Sequence, residues 1–149
     1  MNTTMEIGDG EGFMQQVDGA DRHGHTALMV AAREGNVAEV EDLMNRGASL
    51  SARSNKGKTP LHYAAANGKV EVVQLLLSKG AEVDPRDKDG HTPLMLAANY
   101  GCDLTIQALM RHGADALAMS HSGSTAMAYA ECNHHPETLE ILMKALKSN

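Results

Sequence analysis

At 149 residues the chain has the length of one domain, and its 42% hydrophobic content is enough for a core. Aromatics are only 3%, with no Trp and a single Phe, so the interior must be built from small and aliphatic side chains, which suits close helix packing and disfavours a sheet sandwich. A formal net charge of −6 argues against general nucleic-acid binding, which needs Lys and Arg to displace counterions, and no stretch approaches the roughly 18 apolar residues of a membrane span.

Met1-Asn2-Thr3-Thr4-Met5-Glu6 has neither a basic n-region nor an apolar run. Two cysteines, Cys102 and Cys132, are too few for a disulfide framework. A reducing cytoplasm is therefore the expected home, with the periplasm or exterior the alternative if a leader has been removed. Residues 1–10 show no periodicity and are expected to be disordered. Phe13, Met14 and Val17, followed by Gly19-Ala20-Asp21, read as the tail of a helix running into its loop. Residues 11–20 are thus expected to form a partial N-terminal cap on a single domain covering 11–149.

From there the chain repeats. Gly24, Gly57, Gly90 and Gly123 stand 33 residues apart, and Thr26, Thr59, Thr92 and Thr125 keep the same step. So do Ala31, Ala64, Ala97 and Ala130, and Val40, Val73, Ile106 and Leu139. Gly35, Gly68 and Gly101 form a further column, as do Gly47-Ala48, Gly80-Ala81 and Gly113-Ala114. Units over about 21–53, 54–86, 87–119 and 120–149 follow, and a period of this length indicates a solenoid.

The copy from Lys58 to Val83 shows the physics of one unit. Thr59 is suited to cap a helix that starts at Pro60, where the missing N–H costs nothing. That helix runs through Leu61, Ala64 and Ala65 until Gly68 breaks it. A second begins near Lys69, with Val70, Val73, Leu76 and Leu77 on one face, and Gly80 stands where a left-handed residue ends a helix. Val83 to Gly90 is turn chemistry.

The run Gly57-Lys58-Thr59-Pro60-Leu61-His62-Tyr63-Ala64-Ala65, with Gly68, Val73, Leu76-Leu77 and Gly80-Ala81, resembles the ankyrin repeat, in length and in the Thr-Pro-Leu-His-x-Ala signature. The likeness covers about residues 21–147. It implies an all-α fold, a solenoid of stacked helix-turn-helix units with hairpin-like loops. It also implies that His62 braces its helix start through hydrogen bonds.

The other copies depart from that pattern. They read Thr26-Ala27-Leu28-Met29, Thr92-Pro93-Leu94-Met95 and Thr125-Ala126-Met127-Ala128. The fourth places Glu131 in an alanine column and His134 and Leu146 in glycine columns, as expected of an end cap facing water. The ten methionines, among them Met29, Met44, Met95, Met110 and Met143, are read as packing residues standing in for Leu or His, although methionine-rich surfaces also serve promiscuous binding.

Signals of chemistry are weak. Gly8 to Phe13 resembles a phosphate loop but follows no strand. Asp87-Lys88-Asp89-Gly90 resembles a calcium loop, yet Pro85 and Leu96 would fall at its first and twelfth ligand positions, so it is read as a turn. Cys132, His134 and His135, with Cys102 stacked nearby, make a zinc site conceivable at a spacing that matches no established module. No nucleophile sits beside a base and an orienting partner. Neither catalysis nor a metal or cofactor is expected.

In the family that the repeats resemble, partners meet the loop tips and the first helices. Carried onto this sequence, those positions are Arg22, His23, His25, Asn55, Lys56, Lys58, Lys88, Asp89, His91 and His121 at the tips, and Arg33, Glu34, Asn67, Asn99 and Tyr100 at the helix ends. The ridge leans basic at its centre, and its histidines are able to add charge in mild acid, so the expected partner surface is acidic. Tyr100 suits an interface anchor. The expected function is a non-catalytic protein-binding module, an inhibitor, adaptor or regulatory subunit, monomeric when unbound. A self-associating structural protein is the alternative, with Phe13, Met127, Met143 and Leu146 to watch, and a metal or enzymatic role through Cys102, Cys132, His134 and His135 is the remote one.

Overall fold

The computed structural model describes residues 17–148. The expectations for residues 1–10, and for Phe13 and Met14 in the cap, lie outside that range; Val17 packs half-buried on the core. Among the described residues the secondary structure is four consecutive helix pairs: α1 Ala27–Glu34 and α2 Val37–Asn45, α3 Pro60–Ala66 and α4 Val70–Ser78, α5 Pro93–Asn99 and α6 Asp103–Arg111, α7 Ala126–Cys132 and α8 Pro136–Lys147. The first helices stack on one another in one layer and the second helices in another, with the core between them.

Each first helix starts by the same chemistry. Thr26, Thr59, Thr92 and Thr125 have extended backbones, and each hydroxyl accepts from the N–H three residues on, in Met29, His62, Met95 and Ala128. This satisfies one of the donors that a helix start leaves orphaned. In the first pair Met29 Sδ accepts from the Thr26 N–H at 3.5 Å. In the second, His62 Nδ1 accepts from the Thr59 N–H at 3.0 Å. The bracing role that the resemblance implies for His62 is thus present, and Met takes its place upstream.

The second helix of the unit differs in detail from the expected face. Val73, Leu76 and Leu77 are buried as expected, but Val70 is half-buried and Val72 is fully enclosed. An inner repeat has neighbours on both sides, so its buried arc is wider than one amphipathic stripe. The last helix, with a neighbour on one side, buries only Thr138 and Leu142. Among the methionines, Met29 and Met95 are core, Met44 and Met110 are half-buried, and Met143 is exposed. Packing explains all but the last, which no repeat covers.

Gly35, Gly68 and Gly101 turn between paired helices at φ of 76°, 67° and 68°. His134 fills that column in the fourth pair at φ 62°, the one non-glycine with positive φ among the described residues. A left-handed conformation costs an L-residue about 1 kcal/mol, so His134→Gly is expected to stabilise the chain by about that much, read as a shift in the urea unfolding midpoint.

Successive fingers, the loops that join one pair to the next, are tied by a main-chain ladder: Asn55 N–H to His23 O at 3.0 Å, Lys88 N–H to Lys56 O at 3.1 Å, and His121 N–H to Asp89 O at 3.0 Å. Arg53 donates to the Arg86 carbonyl, and Arg86 donates to that of Met119.

Candidate protein-binding surface

The tips are built in two alternating ways. In the first and third copies an aspartate closes the turn: Asp21 Oδ1 accepts from His23 and His25 N–H, and Asp87 Oδ1 from Asp89 and His91 N–H. In the second and fourth a serine does so, Ser54 accepting from Lys58 N–H and Ser120 from Ser124 N–H. The alternation extends across the seams. Tyr63 and Tyr129 donate to Ser54 and Ser120 at 2.9 and 3.0 Å. His25 and His91 meet those tyrosine rings edge-on at 5.5 Å. The chain therefore carries a second period of 66 residues over its 33. Tyr63, Tyr129 and their serines carry no mark within a single copy; their signal in the sequence is the equal Ser-to-Tyr spacing in alternate copies.

His23, His25 and Arg33 from the first copy meet Asn55, Lys56, Lys58 and Tyr63 of the second around a recess of about 410 Å³. No carboxylate lines it. Arg33 and Lys56 are exposed and make no ion pair among the described residues. Arg33 and Lys56 thus bring positive charge without an ion-pair partner among the described residues to the recess of a chain that is acidic overall, while His25 faces Asp21 at 3.4 Å.

Lys58 has another occupation. Its ammonium lies 2.7 Å from Asp87 Oδ2 in the next copy, whose side chain is fully buried. Burial alone would raise the Asp87 carboxyl; the Lys58 ammonium and the His91 and Asp89 N–H groups outweigh it and hold the pKa below the ordinary value. Lys58 is therefore a seam residue as well as a wall of the recess.

Among the other positions expected to meet a partner, Arg22, Glu34, Lys88, Asp89, Tyr100 and His121 are exposed, Tyr100 at 60%. Asn55 and Asn67 are exposed but engaged, Asn55 Nδ2 donating to Arg22 O and Asn67 Nδ2 to Tyr63 O. His91 is half-buried against Tyr129 and Asn99 is half-buried under Asn133. The structure gathers the N-terminal members of the set around the recess and spreads the rest along the stack.

Asp87, Asp89 and His91 form the one trio of metal-ligand atoms lying within 4.8 Å of one another among the described residues. The Lys58 ammonium on Asp87 Oδ2 and the two N–H groups on Oδ1 already use that carboxylate, so the trio is a turn, as the sequence spacing indicated. Cys102, Cys132, His134 and His135 do not converge into such a group. His135 Nε2 instead donates to the Asn99 carbonyl at 3.0 Å. Burial and the neighbouring Asp103 push the Cys102 thiol up, away from the thiolate that a ligand or nucleophile needs.

The chain belongs to the ankyrin-repeat family: the family model described as ankyrin repeats (3 copies) matches residues 7–87 and 79–149. Repeats of this family generally mediate protein–protein interaction and are typically non-enzymatic. No curated protein matches the chain. No helix among the described residues is long and apolar enough to cross a membrane.

Proposed function

We propose that the chain is a non-catalytic binding module that docks its finger tips and first helices on an acidic surface of a partner protein, in the cytoplasm, as an inhibitor, adaptor or regulatory subunit. The observation that carries this reading is the recess between the first two copies, where Arg33, Lys56, Lys58, His23 and His25 converge; Lys58 is paired with Asp87 and His25 with Asp21, while Arg33 and Lys56 make no ion pair among the described residues. A partner carboxylate entering it replaces water with several donors in a partly enclosed site. Arg22, Asn55, Lys88, Asp89, His91 and His121 extend the contact along the tips, and Glu34, Asn67, Asn99 and Tyr100 along the helix ends. Stacked helices lose little freedom on docking, so occupying or bridging a surface is the natural mode of action.

The test is a pull-down from native extract followed by a measured affinity for the protein retained. Lys56→Glu and Tyr100→Ala touch exposed side chains and are expected to leave unfolding unchanged while weakening binding about tenfold each. Lys58 is left alone, because changing it breaks the seam with Asp87. Equal affinity for wild type and both variants would place the contact elsewhere.

A further inference from the structure

The 66-residue period separates the residues that hold the tips together from those that do not. Both halves share one frame: an aspartate closes one tip and a serine the next, a tyrosine donates to that serine, and a histidine meets the tyrosine ring edge-on at 5.5 Å. The cations of the recess do not repeat. In the later half Arg33, Lys56 and Lys58 are replaced by Asn99, Ser122 and Ser124, and His23 by Asp89. The frame is kept there without any of the three cations and with an added carboxylate.

Lys58 has a structural role in its bond to Asp87, and His25 faces Asp21. Arg33 and Lys56 have no such role. Arg33 ends α1, where a cation suits the helix dipole. The other first helices reach the same place with Ala66, Asn99 and Cys132, so the fold does not require a charge there. Lys56 joins the finger ladder through its carbonyl, which accepts from the Lys88 N–H and which any residue supplies. Two cations therefore stand at one recess with no ion-pair partner among the described residues and no need for them in folding.

We propose that the recess is a site for a phosphorylated serine or threonine in a segment of the partner protein, with Arg33 and Lys56 holding the phosphoryl group. This rests on the protein-binding reading above and narrows it: the acid that enters is a phosphoryl group rather than a carboxylate. Two unpaired cations are matched by two negative charges, and a phosphoryl group carries about two at neutral pH where a carboxylate carries one. Its three terminal oxygens serve a guanidinium fork and an ammonium together. The Lys58 ammonium has protons beyond the one given to Asp87, and each imidazole of His23 and His25 carries an N–H in either tautomer. At about 410 Å³ the recess has room for the group and the side chain that bears it. A single phosphorylated side chain also suits the rest of the molecule better than an extended polyanion does. A net charge of −6 repels nucleic acid and anionic membrane, whereas one phosphoryl group needs only this local patch.

A blocked pentapeptide of four glycines around one phosphoserine, titrated into the full chain at about pH 7.5 and followed by NMR, tests this, with glutamate or serine in the central place as controls. Shifts centred on His23, His25, Arg33 and Lys56 are expected, with binding at least about tenfold tighter than that of the glutamate peptide. Arg33→Ala and Lys56→Ala change exposed side chains. Each is expected to weaken binding about tenfold with an unchanged thermal melt, while Lys79→Ala, at an exposed cation outside the recess, has no effect. Equal binding of the phosphoserine and glutamate peptides, shifts spread over exposed cations such as Lys79, or wild-type binding by Arg33→Ala would each overturn the proposal. So would tighter binding to phosphoinositide vesicles or single-stranded DNA than to the peptide. Phosphatase treatment of the native extract is expected to abolish retention in the pull-down. Retention that needs Lys56 but survives phosphatase overturns the phosphoryl site and leaves the acidic-surface reading standing; retention indifferent to both Lys56 and Tyr100 overturns that reading itself.

Discussion

Lowering the pH from 7 to 4 is expected to destabilise the chain by about 3 kcal/mol more than it destabilises a His62→Met variant. His62 is fully buried. Its Nδ1 accepts from the Thr59 N–H, so Nε2 carries the proton and donates to the His91 carbonyl at 2.8 Å. The neutral ring is thus satisfied at both nitrogens. Burial, the largest influence, pushes its pKa down from 6.5 to about 4, against the His91 carbonyl and the Asp87 charge, which favour the protonated form. The unfolded histidine takes up its proton near 6.5 and the folded one only near 4. Stability from the neutral ring is therefore complete above 6.5 and lost as the pH falls towards 4. Methionine is the native residue of this column at Met29 and Met95, so the variant keeps a helix start that the fold already uses and has nothing to titrate. At pH 7 it is expected to lose about 1 kcal/mol, because the His91 carbonyl loses its donor. Urea midpoints across the range decide the matter; parallel loss in both proteins assigns the acid sensitivity to other groups.

Asp87→Ala is expected to lower stability by about 3–5 kcal/mol, the scale of breaking a buried pair from one side. The change strips Lys58 of its partner and leaves the N–H groups of Asp89 and His91 without their acceptor. Asp87→Asn keeps an oxygen for those two N–H groups and is expected to recover part of the loss; urea unfolding of both variants at pH 7 checks the order. Because the Asp87 pKa is held below its ordinary 3.8, its contribution is present above that value and lost as the pH falls through the lower folded one. The aspartate thus fails at a more acid pH than His62, and wild type should show two steps of acid destabilisation where Asp87→Asn shows only the upper.

The repeat was legible because its marks are local. Thr59, Pro60, Gly68 and Gly80 each act within a few residues of themselves, so the threonine column marked the start of each first helix and the glycine columns most of the turns. Contacts between copies were not legible in the same way. Lys58 meets Asp87 29 residues later, a pairing that follows from the stacking distance and the direction of two fingers. Taken alone, Lys58 reads as one more exposed tip residue. Val72 was missed because a single-helix stripe ignores the second neighbour. Of the binding surface, the residue set came from the ridge positions, while the recess required knowing that Arg33 at a helix end and Lys56 at a tip face one opening.

The seam beneath that recess differs from the next one in how it resists force. Asn55 bonds to Arg22 and His23, and the His25 and Tyr63 rings meet edge-on, but no ion pair joins the first two copies among the described residues. The next seam has Lys58 on Asp87 and His62 on the His91 carbonyl. Pulled along its length, the stack is a spring whose first seam lacks the ion pair that braces the second, so the first of these two joints is expected to yield before the other. A partner seated in the recess touches both sides of that joint and acts as a rivet, so binding there is also a gain in mechanical strength.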